Sequence, residues 1–175
     1  KADQSGAPVD EVINDLNQAV RFNSLSDIYY RNLGAAQLAK ARQKIAEAKG
    51  AKLTDDQTKE VADLVGQAVT AAARATAIEP NTVSNWIVRG AIYRDVMSFA
   101  QNAEDLAAQM YLNAIRLEPT NPSHRTDLGR VYLAVADRAR SLKEAKDQET
   151  AENAVDQETK LLATAEQAFN SAIKM

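Results

Sequence analysis

The chain has no cysteine, a single histidine and only 5% aromatic residues. Without cysteine there are no disulfides, no thiolate nucleophile and no thiolate metal site. A histidine-based triad has only His124 to be built around, and a zinc site of the usual His/Cys kind has no ligand set. Neither a Walker loop nor a dinucleotide fingerprint occurs. Carboxylates are plentiful, but they are scattered among Lys and Arg and nothing selects a pair. The expectation is a non-enzyme with no cofactor and no metal. A net charge of −3 leaves no nucleic-acid footprint. No run reaches the roughly 18 apolar residues of a membrane span, and no signal peptide is visible. The compartment is left open.

Breakers are scarce too, with four prolines and six glycines in 175 residues. The hydrophobic fraction of 45% draws heavily on alanine. Alanine gives up no side-chain entropy in a helix, and its small side chain lets helices approach closely. An all-α chain is expected.

The helical pattern repeats. Gly34, Gly90 and Gly129 each follow Ser24, Pro80 or Pro119 by ten residues. Five residues before those stand Ala19, Ala75 and Ala114. Eight before come Leu16, Ala72 and Tyr111, and twelve before come Val12, Ala68 and Ala107. Ala165, Phe169 and Ala172 repeat the spacing near the C-terminus. Intervals of four and three place each set on one helix face. Past each proline slot a new helix begins. Trp86, Gly90 and Tyr93 match W-x-x-L-G-x-x-Y, with Arg89 in place of Leu. Leu128, Gly129 and Tyr132 match its second half, and Tyr30, Leu33 and Gly34 match part of its first.

In these positions the chain resembles the tetratricopeptide repeat (TPR) family over nearly its whole length. The resemblance implies a right-handed superhelix of antiparallel helix pairs, with about seven helices here. The implied organisation is one domain over 1–175: a partial repeat at 9–22, a long repeat at 26–79, a near-standard repeat at 82–118 and a long repeat at 121–175. The proline slots lie 56, 39 and, by extrapolation, 58 residues apart, against about 34 in the family. The excess falls between the helices of the first and third pairs and is helix-compatible. Those helices are therefore expected to be longer by about three turns each. The expected elements are 9–22, 26–49 with 55–78, 83–100 with 103–117, and 122–147 with 152–175. Thr54 to Gln57 reads as a capping box, Asn102 and Asn121 as N-caps, and Gly50 as a helix end. The chain begins at Lys1 and ends inside a helical pattern, which reads as a piece of a longer protein.

The family lines its concave groove with the first helix of each pair. Carried onto this sequence, the groove residues are Ile28, Arg31 and Leu38, then Ser84, Ile87 and Arg94, then Thr126, Arg130 and Leu133. Arg31 falls on a cationic position of the family's carboxylate clamp, but Ala35 stands where Asn is expected. That argues against binding of the C-terminal chaperone motif. The three arginines form a basic stripe suited to a peptide or protein segment carrying acidic groups; alternatively they are ordinary solvated helix residues. Trp86, Tyr30, Tyr93, Tyr111, Tyr132 and Phe169 are expected to pack, and Phe22, Tyr29 and Phe99 to be exposed. His124, in a helix's first turn, is expected to be an exposed spacer.

The reading is a protein-protein interaction scaffold. A looser resemblance, carried by segments 25–33, 85–93 and 117–122, is to the C-terminal repeat region of bacterial O-antigen ligase-like membrane proteins. It implies a soluble accessory tail on a bacterial membrane protein. A third expectation is self-association or a spacer role, with a homodimer through the C-terminal helix.

Overall fold

The structure is a computed structural model that describes residues 8–97, 100, 102–144 and 148–173. Among these residues it is entirely helical and contains no strand. Seven helices follow in order: α1 (Val9–Phe22), α2 (Asp27–Glu47), α3 (Asp55–Ile78), α4 (Val83–Asp95), α5 (Ala103–Leu117), α6 (Pro122–Glu144) and α7 (Gln148–Ile173). The chain divides into two compact units, Lys1–Ile92 and Tyr93–Met175, with the boundary inside α4.

Local chemistry accounts for most helix ends. Thr54 and Gln57 form the expected capping box: the Gln57 amide donates to Thr54 Oγ1, and the Thr54 amide donates to Gln57 Oε1. Asn121 caps α6, its Oδ1 accepting from the Ser123 amide at 3.1 Å, and Pro122 opens the helix where its missing N–H costs nothing. Asn102 precedes α5 in the left-handed region (φ 57°) and makes no side-chain cap bond. Its contribution is the left-handed turn, which Asn tolerates better than most residues. α2 ends at Glu47, and Lys49 (φ 50°) and Gly50 (φ 83°) then reverse the chain.

Several boundaries differ from expectation. α4 stops at Asp95 and does not continue to 100. The Val96 and Met97 amides bond three residues back, to Tyr93 and Arg94, and this tighter turn buries both side chains. In the last pair, α6 ends at Glu144 and α7 begins at Gln148, four residues before the expected start. Residues 145–147 lie outside those described. The lengthening expected of the first and third pairs is present: α2 and α3 have 21 and 24 residues and α6 and α7 have 23 and 26, against 13 and 15 for α4 and α5.

In the first unit α2 and α3 run antiparallel. Lys44 pairs with Glu60 at 2.9 Å, Gln37 with Gln67 at 3.1 Å, and Gly34 abuts Ala68 and Ala72. Position numbers thus fall along α3 as they rise along α2. Leu38, Ala68, Ala72 and Ile92 form the core, flanked by Val69 and Val88. α1 lies on α2, tied by Lys40 to Asp10 at 2.7 Å. In the second unit α6 packs on α7 and α5 on α6. Gly129 sits directly against the ring of Phe169.

The spaced stripes of α3 and α5 are buried faces. Ala68, Ala72 and Ala75 on α3 are fully buried, as are Ala107, Tyr111 and Ala114 on α5. Ala165 of the C-terminal stripe is fully buried, while Phe169 and Ala172 are half-buried. Val12, Leu16 and Ala19 on α1 are only half-buried, and α1 has no fully buried residue.

Candidate partner-binding surfaces

The residues expected to face a partner divide between the two units. In the first unit, Ile28 and Ser84 are exposed and Arg31 and Ile87 are half-buried. Leu38 is not available: it is 6% exposed and belongs to the core with Ala68, Ala72 and Ile92. The reason is helical geometry, since Leu38 stands four residues past Gly34 and shares the face that meets α3.

Arg31 is held from within. Its Nη1 donates to Asn85 Oδ1 at 3.2 Å. Asn85 is fully buried, and its Nδ2 donates to Asp27 Oδ2 at 2.9 Å and to the Ala75 and Glu79 carbonyls, each at 3.2 Å. One amide therefore joins the start of α2, the last turn of α3 and the first turn of α4. Asn85 was not singled out from the sequence. The signal was its register with Arg89, Ile92 and Val96, four, seven and eleven residues on.

In the second unit, Arg94 Nη1 donates to the Tyr111 hydroxyl at 3.4 Å and lies 3.9 Å from Asp127. Arg130 pairs with the same carboxylate at 2.9 Å, yet its side chain is 60% exposed. Asp127 is thus an acidic counterweight that the sequence reading missed. Burial raises the Tyr111 phenol above its ordinary pKa, partly opposed by the Arg94 charge. Thr126 donates to the Pro122 carbonyl and Leu133 is half-buried. Pro122, Ser123, Thr126, Asp127 and Arg130 line a shallow depression of about 210 Å³.

His124 is not an exposed spacer. It is 3% exposed, because it falls four and seven residues before Leu128 and Val131 on the buried stripe of α6. Its Nε2–H donates to Glu118 Oε2 at 2.8 Å, and the Asn121 side-chain Nδ2 donates to the same oxygen at 3.0 Å. Asn121 first and His124 second hold the Glu118 carboxyl below the ordinary glutamate pKa. A lowered folded-state pKa contributes stability above the unfolded value, and that contribution is lost as pH falls through the folded one. Glu118→Gln is therefore expected to flatten the acid limb of the stability profile below about pH 4, measured by urea unfolding at a series of pH values. A parallel profile for the variant rules out the role assigned to Glu118.

Of the aromatics, Tyr93 and Tyr111 are buried, while Trp86, Tyr30, Tyr132 and Phe169 are half-buried. The Trp86 indole donates to the Pro80 carbonyl at 2.7 Å. Phe22 is 90% exposed and Tyr29 is exposed, joining Leu25 and Ile28 in an apolar strip where α1 meets α2. Phe99 lies outside the described residues.

A larger cavity lies elsewhere in the first unit. A trough of about 690 Å³ runs over α2 between α1 and α3. Leu33, Val20 and Ala71 give it apolar walls, Ala62 and Gly66 a smooth flank, and Gln37, Gln67, Asp63 and Arg74 its polar groups. A second depression continues it past Asp63 and Gln67 toward Asp10 and Glu60. Gln37 is 4% exposed, and its Oε1 has no hydrogen-bond donor.

Among the described residues no group of three or more His, Asp or Glu is placed to hold a metal ion. Among the same residues no helix is long and apolar enough to cross a membrane. No protein-family model and no curated protein matches the chain.

Proposed function

We propose that this chain is a non-catalytic scaffold of tetratricopeptide type, which binds peptide segments of partner proteins on the outward faces of α2 and α4 in the first unit or of α6 in the second. The observation that carries the reading is the burial pattern. The alanine stripes of α3 and α5 are sealed inside, in the register of the repeat, while Ile28 and Ser84 and, in the other unit, Arg130 remain outward. Helix-pair repeats use their first helices in this way, and their function is recognition rather than chemistry.

Arginine provides the preference for acidic segments. The three arginines are not equivalent in this role. Arg31 is engaged by buried Asn85 and Arg94 by Tyr111, so both have structural work. Arg130 is the most exposed of the three and offers the cleanest test. Selection of a displayed-peptide library on the purified chain is expected to enrich acidic peptides. Arg130→Glu is expected to weaken peptides held by the second unit, and Ile28→Asp those held by the first, by about tenfold or more while leaving the helical circular dichroism unchanged. Peptides that bind both variants as tightly as the parent, or no enrichment at all, would overturn the reading.

A further inference from the structure

The trough between α1 and α3 contains two features that the fold itself does not use. Gly66 lies in the interior of α3, where glycine costs about 1 kcal/mol relative to alanine. A Cβ built on Gly66 meets nothing within 4 Å, so no neighbour in the chain needs it to be glycine. Beside it, the buried Gln37 gives its Nε2–H to Gln67 and leaves its Oε1 without a donor. A buried unpaired carbonyl is costly, and Gln37 is one of the residues that line the trough. The trough is thus shaped for a body that comes close at Gly66.

Its charges set the polarity of that body. Arg74 stands toward one end and Asp63 toward the other, eleven residues apart on α3, or about 16 Å of helix. Neither has an ion-pair partner among the described residues. A helix lying antiparallel to α3 would match them with an acid in its own first turn and a base eleven residues later, the arrangement its dipole favours.

The chain itself carries such a face. On α5, Asp105, Gln109, Leu112 and Arg116 follow at intervals of four, three and four, all exposed and on one side. Leu112 is 51% exposed, a large apolar side chain turned to solvent. Asp105 and Arg116 are eleven residues apart, as Arg74 and Asp63 are. In antiparallel register, Asp105 meets Arg74, Arg116 meets Asp63 and Leu112 comes over Gly66.

We infer that the trough is a self-association site and that its occupant is α5 of a second copy of this chain. Each copy has one trough and one α5 face, so the contact is head-to-tail and can continue past a dimer. The site uses none of the residues assigned to peptide recognition.

The test is sedimentation equilibrium of the full chain at increasing concentration and low ionic strength. The weight-average mass of the parent is expected to rise with concentration. Arg74→Glu alone and Asp105→Arg alone are each expected to weaken association by about tenfold or more, since each puts like charges together. The double variant carrying both changes is expected to associate as the parent does. Both positions are exposed, and circular dichroism checks that each variant stays folded. A parent that remains monomeric up to its solubility limit overturns the proposal. So does association that survives both single changes, which would direct attention to another surface, such as the C-terminal helix or the Phe22 to Tyr29 strip. Failure of the double variant to recover also overturns it, because the Arg74 and Asp105 pairing is then wrong. Arg130→Glu serves as the control and is expected to leave association unchanged.

Discussion

Asn85→Leu is expected to destabilise the first unit by about 3 kcal/mol, with little change in the surface exposed on unfolding. The side chain is fully buried and supports four hydrogen bonds, to Asp27, Arg31 and the Ala75 and Glu79 carbonyls. Leucine keeps the branching of the side chain, is somewhat larger, and removes all four. The two carbonyls keep backbone donors, from the Glu79 and Thr82 amides, so most of the cost falls on the two charged partners. Hydrogen bonds to charged groups contribute about 1.5–3 kcal/mol each. Asn85→Asp retains the shape and replaces the donor with an acceptor, setting an oxygen against Asp27 and two carbonyls. It is expected to be at least as damaging at neutral pH and to recover as pH is lowered. Urea unfolding of both variants provides the measurement. A loss below about 1 kcal/mol for the leucine variant would falsify the claim that this amide organises the unit.

The second large effect is at Gly34, and Gly66 supplies its control. A Cβ at Gly34 would lie 3.0 Å from the Ala68 carbonyl oxygen and 3.3 Å from the Ala72 amide nitrogen. Both are backbone atoms of α3 and cannot turn aside, so the helices must separate. Overpacking of this kind costs about 1–3 kcal/mol, and more for a large side chain. Gly34→Leu is expected to cost about 3 kcal/mol or more, and Gly34→Ala about 1 kcal/mol after the gain in helix propensity. At Gly66, which has open space around it, alanine is expected to stabilise by about 1 kcal/mol. The same substitution in two central helices of one unit should therefore have opposite signs. Thermal and urea unfolding of the two alanine variants decide it. Equal effects would mean that the closeness of α2 and α3 does not depend on Gly34.

The features legible in the sequence were periodic ones. Intervals of four and three marked the buried faces of α3 and α5 because burial on a helix is periodic. The capping box at Thr54 and the cap at Asn121 were legible because a few adjacent residues complete them. The end of α4 was hidden, since no Gly or Pro stands between 95 and 102 and the stop comes from burying Val96 and Met97. His124 was misread because a position near a helix start was weighed over its register with Leu128 and Val131. The arginines are legible as cations, but their partners Asn85 and Asp127 are known only once the helices are placed together. The trough could not have been read at all. A stray amide oxygen on Gln37 exists only once α2 and α3 are packed together.

The alanine-lined interior has a thermal consequence. Of the 23 buried apolar residues among those described, 12 are alanine. Each methyl shields little surface from water, and the heat capacity released on unfolding scales with the apolar area newly wetted. Alanine also loses no rotamer freedom when buried. The free energy of this chain should therefore follow a shallower arc with temperature than that of a leucine-rich domain of equal length, weakening less on cooling and giving way more gradually on heating.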